Sequence, residues 1–150
     1  MIQGKWFAPG QDLSEEIVPV REKVFGYTGN ATDPEGWNAL VCSDGEPAAC
    51  GRIWWEDGFF RIGEIGVVPA LRGKRLGDLV LRLLLFKAQS HAASQVWLIS
   101  PAETEGFFSR LGFKAVNRGS GSVEMMIYGK DISLDSCANC RKQNCPNRQS

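Results

Sequence analysis

Apolar and polar residues alternate in short runs along most of the chain, and this period of two predicts strands. Turn-forming residues separate several of the runs, and Asp57-Gly58 has the signature of a tight hairpin. Two segments have helical periodicity instead: Ile17 to Phe25, and a mostly apolar stretch from about Gly77 to Ser90. The predicted strands cover residues 2–7, 37–42, 48–55, 59–68, 95–99, 113–118 and 123–128, and a third helix covers 104–111.

The order of these elements predicts the fold class. A strand and a helix precede three strands that form an antiparallel meander, and the chain continues as helix, strand, helix and two strands. Such an order requires a mixed sheet flanked by helices, an α/β (α+β) fold. Asp12 and Glu15 have capping-box spacing ahead of the first helix, and Pro19 is expected to break or kink it into two short helices.

Length and composition narrow the class of protein. A chain of 150 residues, 43% apolar and 23% charged, is typical of one soluble globular domain and excludes disordered and fibrous classes. Its 17 basic and 17 acidic residues leave no net charge, which argues against a nucleic-acid partner but not against an anionic small molecule. The longest apolar run, residues 79–86, is interrupted by Arg82 and is far shorter than the roughly 20 residues of a membrane span, and no signal segment opens the chain. We therefore expect a cytoplasmic protein with no membrane partner.

The composition changes after Lys130, where the chain becomes polar and rich in cysteine. We expect a domain over residues 1–130 and a cysteine-rich appendage over residues 131–150. The five cysteines are odd in number and clustered, unlike a secreted disulfide framework. Three of them are the predicted metal ligands of the appendage: Cys137, Cys140 and Cys145.

A C-x2-C pair on a tight turn can hold zinc or an iron-sulfur cluster through its two thiolates. Three cysteines leave a structural zinc one ligand short, so Cys42, Cys50, His91 or another chain would have to complete the site. The alternative is a flexible reduced tail or a redox pair of thiols.

The predicted strand-to-helix junction at residues 67–77 has the sequence VVPALRGKRLG. The first turn of a helix has unpaired N–H groups at the positive end of the helix dipole, and glycines let a ligand approach the backbone. Basic side chains at Arg72, Lys74 and Arg75 add charge beside these donors. The pattern predicts a cradle for a phosphate-bearing ligand, and the alternative is a loop whose basic residues are merely solvated.

This junction resembles motif A of the GNAT superfamily of N-acetyltransferases, whose consensus is R/Q-x-x-G-x-G/A. The sequence GFFSRLGF at residues 106–113 resembles motif B of the same superfamily, in which an aromatic pair precedes Leu-Gly-Phe. REKVF at residues 21–25 resembles the first helix of many members. Together the resemblance covers roughly residues 1–130.

The resemblance implies a mostly antiparallel seven-stranded sheet with a splay between the fourth and fifth strands, in which acetyl-CoA lies. In the family, backbone at the end of the fourth strand binds the pantetheine arm, and amides of the following loop bind the pyrophosphate. The positions of this chain that correspond to cofactor-binding residues are Val67, Val68, Arg72, Gly73, Lys74, Arg75, Leu76, Gly77, Phe107 and Phe108.

The chain departs from the family pattern at two positions that matter for the chemistry. Arg75 stands where the first glycine of motif A is usual, so the loop must accept a side chain there. Phe108 stands where many members have a tyrosine that protonates the departing thiolate, and a phenyl ring cannot donate a proton. Ser109 and Tyr128 are the other candidate donors.

Amide formation from a thioester needs a neutral amine and a stabilised oxyanion. Glu64 is the candidate base, because it lies on the strand that leads to Val67 and its small neighbours leave room for substrate. Many members of the superfamily resemble this arrangement, and the alternative is an ordinary acid on a solvated sheet face. The backbone N–H of Val67 or Val68 would stabilise the oxyanion.

Consecutive tryptophans at 54 and 55 must face opposite sides of a sheet, so one is expected to border the acceptor cleft.

We therefore predict an N-acetyltransferase that transfers an acetyl group from acetyl-CoA to a primary amine of a small molecule or peptide by direct attack. The alternative is a CoA-binding or metal/redox sensor module with impaired catalysis. Phe108 favours the module, whereas Glu64 favours the enzyme. The prediction also allows a homodimer.

Overall fold

The computed structural model describes residues 1–27 and 29–134, which form seven strands and three α-helices. Every predicted strand and helix is present, with ends within two residues of those predicted. The strands are β1 (Ile2–Phe7), β2 (Gly36–Ser43), β3 (Glu46–Glu56), β4 (Phe59–Val67), β5 (Gln95–Pro101), β6 (Lys114–Arg118) and β7 (Ser122–Tyr128). The helices are α1 (Ile17–Phe25), α2 (Leu76–Ser90) and α3 (Glu105–Ser109), and short 3₁₀ turns cover Pro69–Leu71, Ala102–Thr104 and Gly129–Asp131.

The strands form one mixed sheet in the order β1-β2-β3-β4-β5-β7-β6. Each pair of neighbours is antiparallel except β4 and β5, which are parallel. These two strands pair at Phe60 with Val96 and at Arg61 with Trp97, and beyond this point they diverge. The predicted fold class and the splay between the fourth and fifth strands are therefore confirmed.

The two tight turns of the meander have the geometry that their sequences predict. Asp44 and Gly45 have φ values of 51° and 83°, and Asp57 and Gly58 have values of 53° and 86°. Two consecutive positive φ angles define a type I′ turn, whose twist matches that of the flanking antiparallel strands. These turns fix the register of β2, β3 and β4, on which the position of the splay depends.

The predicted break and capping box in the first helix are wrong. Helix α1 is continuous because Pro19 is its third residue, in the first turn, where a backbone N–H has no acceptor within the helix. Asp12 instead accepts hydrogen bonds from the backbone and hydroxyl of Ser14. The amides of Ile17 and Val18 donate to the carbonyl of Leu13, so the helix start needs no side-chain cap.

The two faces of the sheet are covered differently. Helix α2 packs on one face and encloses the larger core, in which Val80, Leu81 and Leu84 are fully buried. Helix α1 packs on the other face, against β3 and β4, over a smaller apolar cluster. A Cβ atom at Gly66 would lie 2.4 Å from Val24 Cγ1, so glycine at this position allows α1 to lie directly on β4.

The packed core continues beyond Lys130. Ile132 is buried in the larger core, and Leu134 packs against that core. None of the helices in the described part of the chain is long and apolar enough to cross a membrane.

Candidate functional site

A β-bulge in β4 places Glu64 at the splay. Cys50 pairs with Gly66 and Arg52 pairs with Gly63, so Glu64 and Ile65 together lie opposite the single residue between Cys50 and Arg52. Glu64 has a φ of 52°, a left-handed conformation that is unusual for a residue with a side chain. A bulge bends its strand and redirects a side chain. Here it occurs where β4 leaves β5, and the Glu64 carboxylate lies beside α1.

The Glu64 carboxylate belongs to a buried cluster of charged and amide groups. Arg21 on α1 is 4% exposed, and its Nε lies 3.5 Å from Glu64 Oε1. Its Nη2 donates to Asn38 Oδ1 at 2.9 Å, and Asn38 Nδ2 donates to Asp33 Oδ2 at 3.0 Å. Arg52 Nη2 donates to Asp33 Oδ1 at 3.0 Å, and Arg52 Nη1 lies 4.0 Å from Glu64 Oε2. Two guanidinium groups thus balance two carboxylates.

Within this cluster Asp33 is held in its ionised form. Burial by itself would raise the pKa of Asp33, but hydrogen bonds from Arg52 and Asn38 outweigh burial and hold this pKa at about 2. Glu64 is more open, since about a third of its side chain is exposed. The cluster therefore has a structural end at Asp33 and an accessible end at Glu64.

A cavity of about 550 Å³, here called the splay cavity, passes through the gap between β4 and β5. Val24 and Phe25 of α1 line it on one side of the sheet, and Phe107 and Phe108 of α3 line it on the other. The remaining lining residues come from β4, β5 and the segments that follow them: Ile62, Gly63, Glu64, Ile65, Gly66, Val67, Arg72, Gly77, Leu98, Ile99, Pro101 and Thr104. Most of these side chains are apolar, so the gap suits an extended apolar group.

A second cavity of about 670 Å³, here called the arginine cavity, lies at the N-terminus of α2. It shares four residues with the splay cavity, so the two spaces adjoin: Val67, Arg72, Gly77 and Phe107. Its basic side chains are Arg72, Arg75, Arg82 and Arg110, and Arg82 also binds Asp78 at 2.8 Å. Phosphate groups can bind in such a cavity, because four guanidinium groups lie beside the unpaired amides of a helix N-terminus.

The geometry of Arg75 explains why glycine is usual at this position of motif A. Arg75 is the N-cap of α2 and has a φ of 63° and a ψ of 24°, which is the left-handed region. Glycine adopts this conformation without strain, whereas an L-residue does so at a cost of about 1–2 kcal/mol. Arg75 thus adopts a conformation that glycine favours and adds a guanidinium to the arginine cavity.

Hydrogen bonds distinguish the two valines at the end of β4. The N–H of Val68 donates to the carbonyl of Ala48 at 2.8 Å. Because donors alternate along an antiparallel strand, the N–H and carbonyl of Val67 point the other way, towards the splay. The Val67 carbonyl accepts a hydrogen bond from Arg72 Nε at 3.1 Å. Val67 therefore presents an amide donor to the cleft.

The aromatic pair of motif B lies against the splay. Phe107 lines both cavities, and Phe108 lines the splay cavity while remaining 7% exposed and packed on Phe113. Ser109 and Tyr128 are not among the residues that line these cavities. The single hydroxyl among the described lining residues is that of Thr104, which hydrogen bonds to the Pro101 carbonyl and to Ser100.

Most of the predicted cofactor residues come together at the two cavities. Gly73, Arg75 and Leu76 line the arginine cavity, whereas Val68 and Lys74 line neither cavity. Sequence reasoning did not identify five residues that complete the site: Arg21, Asp33, Arg52, Arg82 and Arg110. Of these five, only Arg82 had a local signal in the sequence, because it follows Asp78 by four residues on α2 and this spacing allows an ion pair.

The two consecutive tryptophans occupy opposite faces, as predicted. Trp54 lies on the α1 side, where the Arg52 guanidinium stacks on its ring at 4.4 Å. Trp55 is on the other face, 57% exposed. Trp54 therefore lies on the same face of the sheet as α1, although it does not line the splay cavity.

The described residues contain no group of three or more His, Cys, Asp or Glu side chains that could hold a metal ion. Burial raises the pKa of the Cys50 thiol to about 12, so Cys50 is a poor candidate for completing a metal site. The predicted ligands Cys137, Cys140 and Cys145 lie outside the described residues.

Comparison with known proteins agrees with this geometry. The fold is similar to an acyl-CoA N-acyltransferase from Pseudomonas aeruginosa (TM-score 0.70, 18% identity, 85% of this chain and 99% of that chain). It is also similar to ElaA from Escherichia coli (TM-score 0.66, 21% identity, 85% and 99%). A third similar structure is an N-acetyltransferase from Thermoplasma acidophilum in complex with coenzyme A (TM-score 0.55, 12% identity, 61% and 59%).

The sequence itself has no significant match among curated proteins. The sequence model of the acetyltransferase (GNAT) family matches residues 5–113, which include the second half of β1, the lining residues of both cavities and the aromatic pair of motif B. The chain therefore belongs to the GNAT family of acetyltransferases.

Proposed function

We propose that the protein is an N-acetyltransferase that transfers the acetyl group of acetyl-CoA to a primary amine by direct attack. The observation that carries this proposal is the continuity of the two cavities through the splay. One end of the passage reaches Glu64 beside α1, and the other reaches four arginines at the N-terminus of α2. A site for an amine and a site for phosphates thus lie at opposite ends of one channel.

The residues present fit acetyl-CoA, which has phosphates at one end, an extended arm and a thioester at the other. Arg72, Arg75, Arg82 and Arg110 would hold the phosphates together with the loop and first-turn amides over residues 73–77. The arm would pass between Val67 and Phe107, which line both cavities. Phe108 would form the wall of the splay cavity beside the thioester.

In the reaction, acetyl-CoA supplies an activated thioester whose carbonyl carbon the amine nitrogen attacks. Glu64 attracts the ammonium form of the acceptor and accepts one proton from it, directly or through water, which leaves a neutral amine. As the amine attacks, the C–N bond forms and the C–S bond breaks, and the second proton that the nitrogen loses passes through solvent to the departed thiolate. The N–H of Val67, which points towards the splay, stabilises the oxyanion.

The absence of a tyrosine at Phe108 does not prevent this reaction. A cysteine thiol has a pKa of about 8.5, far below that of an alcohol, and a thiolate is correspondingly a good leaving group that need not be protonated before it departs. The alternative function, a CoA-binding module with impaired catalysis, is favoured by the same residue. Phe108 is buried, and the one hydroxyl lining the splay cavity, on Thr104, is already hydrogen bonded to backbone.

Two measurements test the proposal. Calorimetry with acetyl-CoA is expected to give a dissociation constant in the range of about 1–100 μM, and a thiol-release assay over a panel of primary amines is expected to show turnover. Failure of acetyl-CoA to bind at about 100 μM would overturn the proposal. Binding without turnover on any amine would favour the module. Propionyl-CoA and succinyl-CoA in the same assay determine whether acetyl is the preferred group.

A further inference from the structure

A third cavity of about 160 Å³ opens on the α1 side of the sheet, at the closed end of the splay. Four of its lining residues also line the splay cavity, so the two spaces adjoin: Ile62, Gly63, Leu98 and Ile99. The others are Trp54, Arg61 and Trp97. We call this space the tryptophan pocket. It lies at the opposite end of β4 from the arginine cavity, and Gly63 places it one residue from Glu64.

The indole rings that line the pocket are held in place by contacts on their other sides. Trp54 Nε1 donates to Glu56 Oε1 at 2.7 Å, and Arg52 stacks on the Trp54 ring. Trp97 Nε1 donates to Gln95 Oε1 at 2.8 Å. Since both indole N–H groups already have acceptors, the rings offer mainly carbon surface to a ligand.

Gly63 provides the floor between the two rings. A Cβ atom at this position would lie 3.3 Å from Trp54 Cη2, which is closer than ordinary van der Waals contact. Any side chain here would press on the indole. Glycine thus leaves the space beside Trp54 open and keeps its ring close to the strand.

Arg61 is the one charged side chain among the described residues that line the pocket. Its Nε lies 3.8 Å from Glu56 Oε1 and has no hydrogen-bond partner among the described residues. The rest of the lining is apolar, so recognition in this pocket rests mainly on apolar contact.

The rim of the pocket is an exposed apolar side chain. Ile99 is 69% exposed although it lines both the splay cavity and the tryptophan pocket. Ile99 therefore adds apolar surface at the mouth of the pocket. The volume is also suitable, since an apolar cavity of about 150 Å³ is enough to hold a benzene-sized group.

We propose that the tryptophan pocket selects acceptors whose primary amine is carried close to an aromatic or bulky apolar group. This inference rests on the proposed acetyltransferase function and specifies its substrate class. The apolar group occupies the space between Trp54 and Trp97, and the amine lies towards Glu64. Small polar amines that lack such a group are poor acceptors.

The test compares acceptors that differ in the group beside the amine. Phenethylamine, tryptamine and ethanolamine are assayed by thiol release at saturating acetyl-CoA. We expect kcat/KM for phenethylamine to exceed that for ethanolamine by at least about tenfold, because differences of this size follow from burying a few carbon atoms.

Substitutions in the tryptophan pocket test whether the pocket is the cause of this preference. Trp54→Ala and Ile99→Ser should each lower the phenethylamine-to-ethanolamine ratio, which is compared for every variant at saturating acetyl-CoA. Trp55→Ala is the matched control, because Trp55 is the adjacent tryptophan on the opposite face. Ile99→Ser keeps the test decisive if Trp54→Ala does not fold, since Ile99 is an exposed residue.

The outcomes separate this inference from the proposed function. Turnover that is equal or faster on ethanolamine, or an unchanged ratio in Ile99→Ser, overturns the assignment of the pocket and leaves the acetyltransferase in place. Acetyl-CoA binding without turnover on any amine overturns both proposals.

Discussion

Arg21 Nε lies 3.5 Å from Glu64 Oε1, although one residue is on α1 and the other is on the bulge of β4. The Arg21 side chain is 5% exposed, and the same guanidinium binds Asn38 on β2. A buried arginine thus ties the carboxylate at the cleft to two further elements of the fold. Substitutions at either residue should therefore affect turnover before they affect the binding of acetyl-CoA.

Glu64→Gln should lower kcat by at least about a hundredfold, because the amide keeps the size of the side chain but cannot accept a proton. The affinity for acetyl-CoA should stay at the wild-type value, since the arginine cavity is at the other end of the channel. Thiol release and calorimetry measure the two quantities. Glu22→Gln, on the exposed side of α1, is the matched control. Wild-type turnover of Glu64→Gln between about pH 6 and 9 would exclude Glu64 as the base.

Arg21→Met tests whether Arg21 acts through Glu64. Loss of the guanidinium removes the ion pair, so kcat should fall while the affinity for acetyl-CoA is unchanged. In the Glu64→Gln background the same substitution should cost little further turnover, because contacting residues that act together are not additive. Arg21→Lys should restore only part of the activity, since an ammonium group cannot bond to Asn38 and Glu64 in the planar geometry of a guanidinium. Additive losses in the double variant would mean that Arg21 acts independently of Glu64.

The strands, helices and splay could be predicted because their signals are local or belong to the family pattern. The Asp57-Gly58 turn and the apolar stripe of α2 are visible within a few residues of sequence. The cluster around Glu64 could not be predicted in this way. Arg21, Asp33 and Arg52 come from a helix, a loop and a strand, and sheet pairing brings them together with Glu64. The bulge at Glu64 is also invisible locally, because it depends on the register between β3 and β4.

Asp33→Asn should remove a pH-dependent contribution to stability. The pKa of Asp33 is about 2 in the folded protein and has an ordinary value of 3.8, so its contribution is complete above about pH 4 and is lost as the pH falls towards 2. The difference is worth about 2 kcal/mol. The gap in the free energy of unfolding between wild type and Asp33→Asn should therefore shrink by about this amount between pH 4 and 2.

Urea unfolding followed by tryptophan fluorescence measures that gap at each pH. Asp57→Asn is the control, because Asp57 lies in an exposed turn where asparagine also tolerates positive φ. A gap between wild type and Asp33→Asn that is constant over this pH range would show that Asp33 keeps an ordinary pKa in the folded protein.

Substitutions at Gly77 test whether acetyl-CoA passes between the splay cavity and the arginine cavity. A Cβ atom there would lie 3.5 Å from Val67 Cγ2 and 3.7 Å from Phe107 Cζ, which is ordinary contact. Gly77→Ala should therefore bind acetyl-CoA normally, whereas Gly77→Leu should reach between these side chains and weaken binding by at least about tenfold. Gly106→Leu on α3 is the control, since a Cβ atom there has no neighbour within 4 Å. Equal affinity of Gly77→Leu and wild type, measured by calorimetry, would show that acetyl-CoA does not pass at this point.

Arg75 has a strained backbone conformation and also places a positive charge on the arginine cavity. Two substitutions separate the effect of the strain on stability from the effect of the charge on binding. Its φ of 63° strains any residue with a Cβ atom, so Arg75→Gly should unfold at a higher urea concentration than Arg75→Ala, by a free energy of about 1 kcal/mol. Both variants lose the guanidinium on the arginine cavity and should bind acetyl-CoA about tenfold more weakly, with a smaller dependence on salt. Equal stability of the two variants would mean that the loop relaxes away from the left-handed conformation. Unchanged affinity in both would place the phosphates away from Arg75, and the helix amides with the other three arginines would then hold them.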